Sequence, residues 1–174
     1  MNPGMVHLYI GDGKGKTTAA LGLLMRAYGA GLSCLFVQFL KGMPTGELET
    51  LRRLQIPVLR TDDVRKFIAS MSPEEQEACR QSHTDCFGRL VCAVSERQPD
   101  CIVLDEVLDA VSLGMIPEEK LIALIETCRG RTELILTGRD PGKAVVELAD
   151  YITEMKKLRH PYEQGVEARK GIEY

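Results

Sequence analysis

The chain has 174 residues, 44% hydrophobic and 27% charged, and its 22 Lys and Arg against 25 Asp and Glu leave a formal net charge of -3. That length suits one globular domain with a core of its own, and the composition is that of a water-soluble protein. The acidic balance argues against a nucleic-acid partner, and no apolar run is long enough to span a membrane.

Taken in chain order, "MVHLYI" (5–10) predicts a short apolar strand that runs straight into "GDGKGKTT" (11–18). "KTTAALGLLMRAYGAG" predicts a helix, dominated by Ala and Leu and stopped by Gly29 and Gly31. "SCLFVQFL" is a continuous run of strand formers, as expected for a strand covered on both faces. "TGELETLRRL" predicts a short helix and "IPVLRT" a strand edge. A long helix follows over "SPEEQEACRQSHTDCFGRLVCAVSERQ", with Ser72 as N-cap, Pro73 at the first helical position and acids in the first turn. "DCIVLDE" predicts a second buried strand, "PEEKLIALIETC" a helix beginning at Pro117, "TELILTGR" a strand, "PGKAVVELAD" a helix and "YITEMKKL" a last strand. The tail "RHPYEQGVEARKGIEY" is polar and charged, without a period. Strands alternating with helices predict an α/β fold, a parallel sheet with helices on both faces, in a single domain over residues 1–174. The strand order is not readable from the pattern.

The six cysteines form no C-x-x-C pair, and reduced thiols in a cytoplasmic chain are expected. A signal peptide cleaved near the N-terminus would destroy the glycine loop, which also points to an unprocessed cytoplasmic chain. Cys79, His83 and Cys86 stand at i, i+4 and i+7 and share one helix face. They read either as a metal-binding face or as a face turned to the core. The second reading is preferred, since no fourth ligand is evident.

The loop at 11–18 carries the chemistry. The usual phosphate-binding loop reads G-x-x-x-x-G-K-[ST]. Here position 10 is Ile10, so the spacing is G-x-x-x-G-K-T, one residue short. It still follows a strand and opens a helix. Gly11, Gly13 and Gly15 let the backbone turn its N–H groups toward phosphate oxygens, and the helix N-terminus points the same way. Lys14 and Lys16 add positive charge, and Thr17 offers a hydroxyl to Mg²⁺. A shorter loop encloses a smaller ring of N–H groups, so it supports polyphosphate binding more than γ-phosphate hydrolysis. Asp105 and Glu106 end a buried strand, where an acid holds Mg²⁺ in phosphate-binding proteins. Gln38, Lys41 and Arg139 also stand at strand ends, where ligands of parallel sheets gather. Arg26, within the first helix, is the remaining cation. For Lys41 an ordinary surface lysine, and for the arginines surface ion pairs, are the competing readings.

"GDGKGKTTAALG", "RAYGAG", "VQFLKG", "IVLDE", "LILTGR", "LAD" and "GVEARKGIEY" occur in this order, and on them the chain resembles the ATP:corrinoid adenosyltransferases of the CobA/CobO/BtuR family. The resemblance implies transfer of the 5'-deoxyadenosyl group of ATP to the Co(I) of a corrinoid, with release of triphosphate. It implies ATP with Mg²⁺ or Mn²⁺ held by Gly11, Asp12, Gly13, Lys14, Gly15, Lys16, Thr17 and Thr18. Thr17 and Glu106 would be the metal-side ligands. Lys16 and Arg139 would stabilise the leaving group, and Arg26, Gln38 and Lys41 would lie near the nucleotide. It further implies an external reductant such as a reduced flavoprotein, delivery to an adenosylcobalamin-dependent acceptor enzyme, and a homodimer. Relatives place an aromatic pair against the corrinoid in a "GFTW"-like stretch. This chain has no Trp, and Phe67 stands in the corresponding stretch "DDVRKFIAS". The competing functions are a P-loop ATPase or small-molecule kinase, and a non-catalytic carrier.

Overall fold

The computed structural model describes residues 4–61 and 68–174, of Ala69 the backbone only. Six strands form one sheet: β1 (Val6–Ile10), β2 (Cys34–Gln38), β3 (Val58–Arg60), β4 (Cys101–Asp105), β5 (Glu133–Thr137) and β6 (Tyr151–Glu154). Their order is β3-β2-β4-β5-β1-β6, and every neighbouring pair is parallel. Between them run α1 (Lys16–Gly29), α2 (Gly46–Arg53), α3 (Pro73–Arg97), α4 (Val107–Ser112), α5 (Glu118–Cys128) and α6 (Lys143–Glu147).

The central strands are apolar throughout because both their faces are covered. Every residue of β2 and of β4 is buried. Successive side chains alternate between two cores. On one face Phe36, Val103 and Ile135 pack with Ala20 and Leu24 of α1. On the other, Leu35, Val37, Ile102, Leu104, Leu134 and Leu136 pack with Leu90 of α3, Leu108 of α4 and Leu121 of α5. The edge strands differ: β3 is half-buried, and all four residues of β6 are exposed.

Helix α3 begins as the sequence requires. Ser72 Oγ accepts the Glu75 N–H at 3.2 Å, and the Ser72 N–H donates to Glu75 Oε2 at 2.9 Å. Such a box satisfies two N–H groups that the first turn leaves unpaired, and losing an N-cap costs about 1 kcal/mol. Cys79, His83 and Cys86 are all buried on its inner face. Two local expectations shift. Pro117 is the N-cap of α5 and the helix starts at Glu118. The six-residue α4, directly after β4, was not expected from the sequence.

All strands run the same way, so their carboxyl ends lie along one edge of the sheet. Ile10, Gln38, Asp105 and Thr137 stand at the ends of β1, β2, β4 and β5 on that edge.

Candidate functional site

The glycine loop joins β1 to α1 and is tied down from two sides. The Gly11 N–H donates to the Arg139 carbonyl at 3.1 Å, and the Gly13 N–H to the Met155 carbonyl at 2.6 Å. The Asp12 carboxylate accepts the Lys157 N–H at 2.9 Å. The glycines are therefore required for packing. A Cβ on Gly13 would lie 2.5 Å from the Met155 oxygen, and one on Gly11 2.6 Å from the same atom. Gly15 has φ 113°, a left-handed conformation, immediately before α1. This corrects the simplest reading of the loop: the N–H groups of Gly11 and Gly13 are bonded to protein carbonyls. Asp12 holds the β6 side of the site.

Lys16 is folded back over the loop. Its ammonium donates to the carbonyls of Gly11 at 2.6 Å and Gly13 at 2.8 Å. Burial lowers its pKa, and Arg139 lowers it further, against the pull of Asp109 and Glu106. Thr17 points across the sheet edge, and its hydroxyl donates to Asp105 Oδ1 at 2.8 Å. Lys14 and Thr18 are exposed.

Asp105, fully buried, is the hub of the site. Besides Thr17, its carboxylate accepts from Thr137 Oγ1 at 2.9 Å, Lys41 Nζ at 2.7 Å and Gln38 Nε2 at 3.4 Å. Lys41 Nζ also donates to Thr17 Oγ1 at 3.2 Å and lies 3.5 Å from Glu106 Oε1. Burial pulls the Lys41 ammonium down, but Asp105 and Glu106 outweigh it and hold its pKa above the ordinary value. Lys41 is thus no ordinary surface lysine. Glu106 caps α4 with φ 59°, rare for a side-chain-bearing residue, and its N–H donates to Thr137 Oγ1 at 2.8 Å. Burial pushes the Glu106 carboxyl up to about 7; Lys41 opposes the rise, while Asp105 and Asp109 add to it.

Beside this network lies one cavity of about 580 Å³, lined by Lys16, Thr17, Glu106, Thr137 and Arg139 on its polar side. Leu40, Ile68 and Leu113 also line it, with Asp109, Ser112 and Asp140. Arg139 is placed through its backbone: its N–H donates to Asp109 Oδ1 at 3.2 Å. Gln38 lies beneath, bonded through Nε2 to Glu47 at 2.9 Å as well as to Asp105.

The structure therefore gathers Lys16, Thr17, Lys41, Glu106 and Arg139, with Gln38 behind them. It does not gather Arg26, which is exposed and ten residues along α1 from Lys16, roughly 15 Å of helix rise. Its charge is felt by Tyr9. Phe67 lies outside the described residues. The sequence reading named Asp105 beside Glu106 but placed the metal role on Glu106. Thr137, Asp109 and Ser112 were missed. "LILT" ending at a strand terminus was a signal for Thr137; α4 gave none, being only six residues long.

Thr17, Asp105 and Glu106 offer hard oxygen donors, which suit Mg²⁺. Among the described residues no cluster of three or more His, Cys, Asp and Glu side chains could hold a metal unaided. Mg²⁺ held by one or two protein oxygens and by substrate phosphates needs no such cluster.

A family model described as ATP:corrinoid adenosyltransferase BtuR/CobO/CobP matches residues 2–174. The chain belongs to the CobA/CobO/BtuR family. It is 32% identical over 174 residues to the corrinoid adenosyltransferase CobA of Salmonella typhimurium, covering 98% of this chain and 86% of that one. A corrinoid adenosyltransferase of Escherichia coli K12 is 31% identical, with the same two coverages of 98% and 86%. Among solved structures, a KaiC-like protein of Pyrococcus horikoshii superposes with TM-score 0.55 at 18% identity, over 91% of this chain and 75% of that one. The fold is that of the P-loop NTPases.

Proposed function

We propose that this protein transfers the 5'-deoxyadenosyl group of ATP to the cobalt of a reduced corrinoid. The observation that carries the reading on this structure is the composition of one cavity. Lys16, Thr17 and Arg139 offer a polyphosphate its partners, and the same cavity has an apolar lining of Leu40, Ile68 and Leu113 suited to a large, flat organic ligand. Family membership along the whole chain supports the same reading.

The substrate supplies its own nucleophile. As the Co–C5' bond forms, the C5'–O5' bond breaks and its electron pair leaves on triphosphate. The protein needs no general base for this step. Its tasks are to hold cobalt in line with C5' and to stabilise the charge gathering on the leaving group. Lys16, fixed over the loop by the Gly11 and Gly13 carbonyls, and Arg139, fixed by its backbone on Asp109, perform the second task. Thr17 and Glu106, with Asp105 behind Thr17, would hold Mg²⁺. The ion, when bound, neutralises part of the phosphate charge. An external reductant such as a reduced flavoprotein supplies Co(I). A homodimer, a cytoplasmic location and delivery to an acceptor enzyme complete the proposal. Among the described residues no helix is long and apolar enough to cross a membrane.

Product analysis tests the reading. MgATP and a chemically reduced corrinoid are expected to yield triphosphate and an adenosylated corrinoid, with no ATP consumed when the corrinoid is left out. ADP as the main product without corrinoid would make the protein an ATPase or kinase. Binding of both ligands with no turnover would make it a carrier.

A further inference from the structure

The Cys79–His83–Cys86 face of α3 is explained only in part by core packing. His83 is fully buried, yet both ring nitrogens are engaged. Nδ1 lies 2.8 Å from the Cys79 carbonyl oxygen, which can only accept, so Nδ1 carries the ring proton. Nε2 is then a bare lone pair, and the Leu40 N–H donates to it at 3.4 Å, the long end of the hydrogen-bond range. The ring also stacks on Phe39, centroids 6.0 Å apart at 23°.

Leu40 is an unusual place for such a bond. Its φ of 58° is left-handed, which a branched side chain rarely adopts. A conformation of this kind persists where its surroundings hold it. Leu40 lines the cavity, and the next residue is Lys41, whose ammonium reaches Asp105 and Thr17. The Lys41 carbonyl is gripped from the other side by Arg60 Nη2 at 2.5 Å.

We infer that His83 is a positioning residue: by accepting the Leu40 N–H it holds the left-handed turn after β2 and so aims Lys41 at Asp105 and Thr17. The inference rests on reading this cavity as the nucleotide site. It does not require that the corrinoid be the second substrate. Two substitutions separate the two bonds of the ring. The amide of His83→Asn reaches the Cys79 carbonyl in place of Nδ1 but stops short of Leu40. The longer His83→Gln brings an amide oxygen to where Nε2 stands. His83→Leu removes both bonds and keeps the site apolar.

The readout is MgATP affinity by calorimetry, which works without corrinoid, beside the melting temperature of each variant. His83→Asn and His83→Leu are expected to weaken MgATP about tenfold, the order of coupling between residues in one network. His83→Gln is expected to recover most of that loss. In a Lys41→Ala background the His83 substitutions should add less than about twofold, because the group they aim is gone. Val94→Ala, in the same helix and core, should lower the melting temperature and leave MgATP affinity alone. Equal losses with and without Lys41, or a loss in Val94→Ala matching that in His83→Asn, would make His83 a core residue and overturn the inference. If His83→Leu does not fold, the Asn and Gln pair decides alone. Absence of adenosyl transfer by the unaltered protein would count against the proposed reaction, not against this coupling.

Discussion

Replacing Gly13 by Ala tests how the short loop is built. The added Cβ would lie 2.5 Å from the Met155 oxygen, 2.7 Å from its carbonyl carbon and 2.9 Å from that of Lys156. All three are backbone atoms, and that segment is fixed by the Met155 N–H on the Ile10 carbonyl at 2.8 Å and the Lys157 N–H on Asp12 at 2.9 Å. No flexible side chain can move aside, so either the loop or the segment after β6 must shift. Overpacking costs about 1–3 kcal/mol, and loss of the bond from Gly13 to Met155 adds about 1 kcal/mol. For a chain of this size that lowers the melting temperature by roughly 5–15 °C. MgATP affinity should fall with it, because Gly11 and Gly13 also hold Lys16. Gly15→Ala is the internal comparison. Its Cβ meets nothing nearer than the Met155 sulfur at 3.5 Å, so the cost there is the left-handed backbone, about 1–2 kcal/mol. Calorimetric melting and MgATP titration of the two variants read the difference. A Gly13→Ala protein with unchanged melting and unchanged MgATP affinity would refute the anchoring of the loop on residues 155–157.

Gly22, exposed in the middle of α1 with nothing within 4 Å of an added Cβ, should stabilise the protein by about 1 kcal/mol when changed to Ala, visible as a higher melting temperature. Lys16→Ala and Glu106→Ala should each lower turnover by about two orders of magnitude, as when a preorganised electrostatic group is lost, with corrinoid binding affected less. Unchanged MgATP affinity together with unchanged turnover would move both residues off the site. Burial holds the His83 pKa below its ordinary 6.5, so below that pH the unfolded chain binds the extra proton first. The His83 contribution to stability is thus present above pH 6.5 and lost as pH falls below it, so the gap in denaturant midpoint between the unaltered protein and His83→Gln should shrink as pH falls from about 6.5 to 5, the opposite titration of Glu106 being common to both.

The fold was legible because burial on both faces leaves a plain mark. "CLFVQ" and "CIVLD" are apolar along their length, and the helices between them carry caps and breakers such as Ser72, Pro73 and Gly31. Strand order was not legible, since pairing depends on contacts between residues far apart in the chain: β1 lies between β5 and β6. The site was legible where a motif fixes local geometry. Lys16 and Thr17 sit where the loop and the helix start require. Asp105 and Glu106 were seen as a pair, but their division of labour was hidden. It depends on which one points inward between Thr17, Lys41 and Thr137, three residues from three other parts of the chain. Arg26 shows what a motif leaves unfixed. A residue that matches a family position is carried three helical turns away from the loop by α1.

The missing residue of the loop now has a physical consequence. A loop of full length can turn a ring of N–H groups toward a phosphate. In this one the N–H groups of Gly11 and Gly13 are bonded to Arg139 and Met155, and two of its carbonyls face the Lys16 ammonium. Backbone dipoles therefore supply less of the positive field at the cavity, and side chains supply more of it: Lys16 from the loop and Arg139 from the end of β5, which line it, and Lys41 from the end of β2, which stands behind Thr17 and is paired with Asp105. A γ-phosphoryl transfer asks for a tight cradle around one phosphorus. A triphosphate that departs whole asks for charge spread along its length. Cations carried by three separate strand ends meet the second demand better than the first.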